Sequence, residues 1–320
     1  MLRYIVRRLF WAIALLFIVS AVIFVMFYVF PSADPAKLRA GREASPQNIA
    51  LIRHQLGLDQ PIYVQFWTYM KNVFLHFNFG YSYQSNASVR SIIYDRLPAT
   101  ALLVAGASFF WLAMGIPIGI LSAVKRRSFF DRTAMFTALG LYSAPVFWLG
   151  LVGLYLFASD VGIFHIFPGI GSYLDANTFL QKCWSLFLPW IVLAAASAAI
   201  YARYLRSSMI DVMSEDYIRT ARAKGLGESR VIMGHVVRSA VTPIVTLLAL
   251  DVGTLLAGGA ILTETVFNIP GVGNELVTAI NRSDLPVIQG IVLFGAFFII
   301  ICNLIVDIAY AYLDPRVRYE

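Results

Sequence analysis

The chain has 320 residues, of which 59% are hydrophobic and only 13% charged. Soluble domains carry about a quarter charged residues, so this chain cannot coat a water-exposed surface and is not a free-standing soluble enzyme. Its net charge of +7 comes from basic residues in loops between apolar runs, which excludes a nucleic-acid reading surface and makes the charge a topology signal.

A membrane span needs roughly 20 consecutive apolar residues to cross about 30 Å of hydrocarbon. Six stretches qualify: Leu9–Phe30, Ala99–Val124, Thr133–Ala158, Trp184–Arg203, Pro243–Leu262 and Pro286–Tyr312. The first follows Arg3, Arg7 and Arg8 as a signal peptide would. It is longer than a secretory apolar core and ends in Phe30-Pro31-Ser32 without a clear cleavage site, so it reads as an uncleaved anchor. Residues 31–98 form a folded external segment. Ser45 as N-cap and Pro46 at the first helical position start a helix whose Ile49, Ile52 and Leu56 share a face, and Gly57 stops it. A second helix begins at Pro61, with Ile62, Phe66, Tyr69 and Val73 at helical spacing. Both are expected to lie on the membrane or cap the bundle, which is compatible with contact to a substrate or receptor.

The other large polar segment is Ser207–Thr242. Ser214 is placed as an N-cap, Glu215 and Asp216 in a first turn, and Lys224-Gly225 at the close, which complements the helix dipole at both ends. Glu228–Arg238 reads as a second short helix, and Thr242-Pro243 starts the fifth span. A minimal turn needs only a few residues, so a loop that builds two helices is expected to present a surface to something. Its plain alternative is a basic loop that only satisfies topology.

Basic residues gather on one side of the spans. That side receives Arg3, Arg7, Arg8, Lys125, Arg126, Arg127, Arg132, Arg203, Arg206, Arg219, Arg222, Lys224, Arg230, Arg238, Arg316 and Arg318. The short loops opposite hold only Lys182 and Arg282. Both termini are therefore expected to be cytoplasmic.

A charge at the bilayer centre costs about 2.5–3.5 kcal/mol on insertion scales. Asp251 lies about 12 Å into the fifth span at 1.5 Å per residue, too deep for a short side chain to reach the interface. It is the translocation-path candidate, with a structural pair to a basic group as the equal alternative. Arg203 and Asp307 sit near span ends, and Glu264 is expected at the external mouth, a further candidate for the path. Cys183 and Cys302 suggest neither a disulfide framework nor a metal site. The four histidines lack ligand spacing, and His235 is expected to cap or stabilise the second short helix. No catalytic constellation and no phosphate-cradling loop occur, since no lysine follows a glycine. A nucleotide, if one is used, must be bound by another chain.

The run Glu215-Asp216-Tyr217-Ile218-Arg219-Thr220-Ala221-Arg222-Ala223-Lys224-Gly225-Leu226, continuing through His235, Arg238 and Pro243, resembles the coupling loop of ABC importer permeases. More narrowly, it is similar to the branch importing dipeptides, oligopeptides, nickel and glutathione. Leu56-Gly-Leu-Asp-Gln-Pro61, the segment Thr263-Glu264 through Pro270-Gly271-Val272-Gly273, Asp284-Leu-Pro-Val-Ile-Gln-Gly290 and the tail Asp314-Pro-Arg316 resemble the same branch, in order along nearly the whole chain. Where the general loop begins Glu-Ala-Ala, Arg219-Thr220-Ala221 stands here, and the distance from Gly225 to Pro243 is longer, both as in the peptide branch. Asn78-Phe79-Gly80 departs from that branch's usual Gly-Asp-Phe-Gly, and no role is carried onto it.

The resemblance implies an all-α transmembrane protein with about six spans, the type I importer permease fold and the B-type subunit of a permease pair. It divides into residues 1–98, a core at 99–314 with its coupling loop at 207–242, and a cytoplasmic tail at 315–320. Implied partners are a second homologous permease, two cytoplasmic ABC ATPase subunits holding ATP and Mg, the lipid bilayer, and an external substrate-binding protein meeting Pro270, Gly271 and Gly273. The implied function is ATP-driven import of peptides by alternating access, with nickel or glutathione as alternative cargo. An ion-coupled secondary transporter would need midplane charges and internal repeats, of which only Asp251 is present.

Overall fold

The computed structural model describes residues 2–30, 34–41 and 44–313. Asp314-Pro-Arg316, Arg318 and the tail 315–320 lie outside the described residues, as do Pro31 and the side chains of Arg3 and Asp307.

Among the described residues the regular structure is all helical, with only two isolated β-bridges in the loops. Helix α1 (Leu2–Phe24) runs into a π-helical turn, Val25–Val29, and three helices follow: α2 (Pro35–Ala40), α3 (Pro46–Gln55) and α4 (Ile62–His76). Helix α5 (Val89–Val124) precedes α6 (Phe129–Ser143), α7 (Val146–Phe157), α8 (Phe179–Ser185) and α9 (Phe187–Met213). The polar segment contains α10 (Asp216–Ala223), α11 (Glu228–Val231), a π-turn at Ile232–Val236 and α12 (Val237–Ala240). The last part is α13 (Thr242–Thr254), a π-turn at Leu255–Gly259, α14 (Ile261–Phe267), α15 (Val272–Asn281) and α16 (Leu285–Leu313). Five helices are long and apolar enough to cross a membrane, or six if the bent pair α6–α7 makes one span.

Three sequence expectations change. The run Thr133–Ala158 is not one straight span, because α6 and α7 meet at 104°. Pro145 carries no N–H, and Ala144 before it is held extended at ψ 132°, the conformation a following proline imposes. The second span starts at Val89, ten residues before Ala99. Its charged first turns are carried by the buried Val89 and Ile93, and Arg96 pairs with Glu275 at 3.0 Å. Helix α2 was not anticipated, although Asp34-Pro35 is a helix start: the Asp34 carboxylate accepts from the Ala36 N–H at 3.0 Å. The two anticipated external helices form. Ser45 Oγ accepts from the Asn48 N–H at 3.3 Å, and Gly57 turns at φ +65°.

The chain divides into two compact units. One comprises residues 1–100, 253–261 and 270–320. In it α4 locks onto α1 and its π-turn through aromatic contacts, Phe66 with Phe24 at 5.2 Å and Tyr69 with Tyr28 at 5.9 Å. Val89, Ile93, Val272, Ala279, Val287 and Ile291 form its core. Helix α16 approaches the π-turn 255–259 so closely that a Cβ on Gly295 would lie 2.5 Å from the Ala257 carbonyl oxygen.

The other unit comprises residues 101–252 and 262–269. Its centre is α9, whose Trp190, Leu193, Ala194, Tyr201, Leu205 and Met209 are buried. Small residues let α5 lie backbone to backbone on α9: a Cβ on Gly115 would sit 3.0 Å from the Ala198 carbonyl oxygen, and one on Gly119 2.8 Å from that of Ala202. Close approach through small residues is the usual way membrane helices pack, since lipid removes the hydrophobic drive between them.

Candidate functional site

The segment 207–242 is the first candidate site, and its geometry follows from how α9 ends. Ser214 remains in the right-handed helical region, and its hydroxyl turns back to donate to the Asp211 carbonyl at 2.7 Å. Ser214 is therefore the C-cap of α9, and Glu215, extended at ψ 147°, is the N-cap of α10 without a side-chain cap bond. This corrects the placement of Ser214 as N-cap. The acidic first-turn residue Asp216 and the basic Arg222 near the end stand as expected from the dipole.

Helix α10 has two faces. Ile218 and Ala221 are buried, whereas Asp216, Tyr217, Arg219, Thr220, Arg222, Ala223, Lys224 and Gly225 form an exposed ridge, with Leu226 half-buried behind it. The Tyr217 hydroxyl donates to Ser239 Oγ at 3.1 Å, which ties the ridge to α12. Lys224 ends the helix and Gly225 reverses the chain at φ +80°, its N–H donating to the Arg222 carbonyl at 2.9 Å. Glycine alone adopts that backbone without cost. Across the turn the Arg222 guanidinium grips Glu228 with both prongs, at 3.1 and 2.7 Å. Facing the guanidinium holds the Glu228 carboxyl below its usual range and raises Arg222. His235 is not at a cap position: it lies exposed inside the π-turn joining α11 to α12, whose caps there are Ile232 and Val236.

At the root of this segment lies an ion pair that sequence reasoning missed. Asp131, 3% exposed, accepts from Arg206 Nε at 2.6 Å, from Arg206 Nη2 at 2.8 Å and from the Arg127 N–H at 2.8 Å. Ser128 Oγ accepts from the Asp131 N–H at 3.1 Å, which caps α6. The corner 125–131 is thus clamped to α9 two turns before that helix ends. The spacing Ser128-x-x-Asp131 is a capping signature and was readable; its partner Arg206, 75 residues on, was not.

Asp251 lies on α13 about 14 Å from Thr242 at 1.5 Å per residue. Tyr201, at the middle of α9 and 1% exposed, donates its hydroxyl to Asp251 Oδ2 at 2.8 Å. The Tyr201 ring packs tilted against the buried Trp111, centroids 5.8 Å apart, which fixes its position. Asp251 itself is half-buried. No sequence signal pointed to Tyr201, whose partner is 50 residues away.

The residues expected on the external side are mostly buried within the chain. Glu264 is wholly buried in α14. Gly271 and Gly273 are buried and Pro270 half-buried, because the Val272 N–H donates to Thr100 Oγ1 at 2.8 Å and pins the start of α15. Nearby, the buried Asp284 carboxylate accepts from Ser82 Oγ and from the Tyr83 N–H at 3.0 Å. Loop 80–88 is thereby fastened to the turn before α16, a contact across 200 residues that no local pattern announces.

Known proteins agree on what this arrangement belongs to. The family described as "Binding-protein-dependent transport system inner membrane component" matches residues 115–319. Its N-terminal counterpart, "Binding-prot-dependent transport system membrane comp, N-term", matches residues 1–104. The "Glutathione transport system permease protein GsiC" of Salmonella choleraesuis (strain SC-B67) is 42% identical over 321 residues, covering the whole of both chains. The protein of the same name from Escherichia coli (strain K12) is 41% identical over 321 residues, again covering both completely. With apolar helices long enough to span, and family matches along nearly its whole length, the chain belongs to the binding-protein-dependent transport system inner membrane components, as a multi-pass permease of the peptide and nickel branch of ABC importers.

Proposed function

We propose that this permease imports a short peptide, glutathione being the first candidate, and that it does so as one half of a heterodimeric pore with a homologous second permease. A component of such a system works with ATPase subunits and a substrate-binding protein. In our reading two cytoplasmic ATPase subunits carry the ATP and Mg, and this chain has no nucleotide site of its own. The observation carrying the cargo assignment is full-length identity of 42% to a permease named for glutathione transport.

The ridge Asp216–Gly225 is assigned as the surface the ATPases push on. Three features support this. The ridge is exposed, it is stiffened on both sides by Tyr217–Ser239 and Arg222–Glu228, and it continues directly from α9. A rigid element of this kind transmits a body shift without absorbing it. ATP binding would draw the ATPases together, α10 would tilt α9, and access to the path beside Asp251 would alternate. The basic-residue asymmetry supports a cytoplasmic position for both termini. The binding protein would deliver cargo to the external segment within 1–98 and to the region of Pro270.

Proteoliposomes holding the assembled complex, with binding protein added outside and ATP enclosed, test this reading. Labelled glutathione and labelled trialanine are the probes. ATP-dependent accumulation of either supports it, and accumulation of neither with the complex intact contradicts it.

A further inference from the structure

We infer that Asp251 and Tyr201 form a subsite for the cationic amino group of the cargo. This rests on the reading that the cargo is a peptide, and adds which atoms of the protein meet which end of it.

The pair is built as a receptor with one position open. Tyr201 is buried, held by Trp111, and donates its hydroxyl to Oδ2 of Asp251 at 2.8 Å. That bond fixes the carboxylate and uses one oxygen, and Asp251 stays half-exposed. Among the described residues, no basic side chain pairs with Asp251. The residues one turn before it on α13, Leu247 and Leu248, are apolar. The two arginines of α9 lie on the other face of that helix from Tyr201 and are committed elsewhere. Arg203 stacks on the Tyr142 ring at 5.4 Å, and Arg206 is held by Asp131. A carboxylate at this depth is costly to leave unmatched, and a hydroxyl does not neutralise its charge.

What completes it must bring a positive charge and hydrogen-bond donors. A terminal ammonium has three donors on a compact charge, so it can meet the open carboxylate oxygen while the phenol keeps the other. A divalent metal ion requires several oxygen or nitrogen ligands. One carboxylate and one phenol do not supply them, so the subsite suits a peptide amine and not a nickel ion. A lysine or arginine from the second permease would satisfy the charge too, and the experiment is chosen to separate that case.

The assembled complex is incubated with binding protein, ATP and trialanine or glutathione, then treated with a membrane-permeant carbodiimide. An activated Asp251 carboxyl joins an amine lying against it as an amide, with its oxygen leaving on the urea. Mass analysis of the peptide holding Asp251 reads the product. The expected result is a trialanine or glutathione adduct on Asp251, absent with N-acetyl-trialanine and absent in Asp251→Asn. Uptake by Asp251→Asn is expected to fall at least tenfold with its partners still bound, and Asp251→Glu to recover part of it. An adduct to a lysine of the second permease overturns the inference, as does no adduct from a wild-type complex that imports the same peptide. If the wild-type complex imports neither peptide, the cargo reading itself falls, which the parallel uptake assay shows separately.

Discussion

At the scale of single residues, the most demanding interaction is the clamp between Asp131 and Arg206. Removing one partner of a buried ion pair leaves the other charge uncompensated and costs about 3–5 kcal/mol. Asp131→Ala is therefore expected to lower the thermal unfolding midpoint of the purified subunit sharply. Arg206→Lys should do nearly as much, because an ammonium cannot make the two-pronged contact. A midpoint unchanged in both variants would show that the clamp contributes no stability. The exposed pair Arg222–Glu228 behaves differently. Glu228 has its folded pKa lowered, so the order it lends the turn is present at neutral pH and is lost as pH falls through the acidic carboxylate range. Protection factors across 222–228, with the slower intrinsic exchange in acid divided out, should fall modestly in Glu228→Gln at neutral pH and in the wild type on acidification. An exposed pair contributes little, so a fall of more than about tenfold would mean the pair holds more than this turn.

At the scale of elements, the turn after α10 and the packing of α5 on α9 carry separate predictions. Gly225→Pro forces φ from +80° to about −65° and removes the N–H bonded to Arg222. The subunit is expected to insert and assemble, while substrate-stimulated ATP hydrolysis by the complex is abolished. Normal stimulation in that variant would remove α10 from the coupling role. Gly119→Val places side-chain atoms where even a Cβ would be 2.8 Å from the Ala202 carbonyl oxygen. Overpacking of this kind costs about 1–3 kcal/mol and should appear as a lowered unfolding midpoint, whereas Gly140→Ala, with open space around it, should not.

Elements were also where the sequence was most legible. Apolar runs located all the long helices, and Ser45-Pro46, Gly57 and Lys224-Gly225 marked true helix ends, because each depends on a local backbone requirement. The bend at Ala144-Pro145 was readable in principle from the proline, but hydropathy averages across it. Ser214 was misplaced because a serine before two acids reads as an N-cap, while the helix behind it was long enough to claim it. Tyr201 with Asp251, and Asp284 with loop 80–88, were invisible because their partners are far apart in the chain.

At the scale of the whole molecule, the chain has the composition of a membrane body, and the proposed function puts the ATP on partner subunits. Its exposed ridge on α10 is stiff and charged, while its buried carboxylates are held by precise hydrogen bonds. That division suits a subunit whose energy arrives from outside through one surface. The tagged chain, purified in gentle detergent from its native cells and followed by mass identification of what accompanies it, tests this most directly. The account predicts a second permease together with one or two kinds of ATPase subunit, and loss of the ATPases alone when the ridge residues Arg219 and Arg222 are replaced by glutamate. Recovery of this chain only with copies of itself, and with no ATPase, would contradict it.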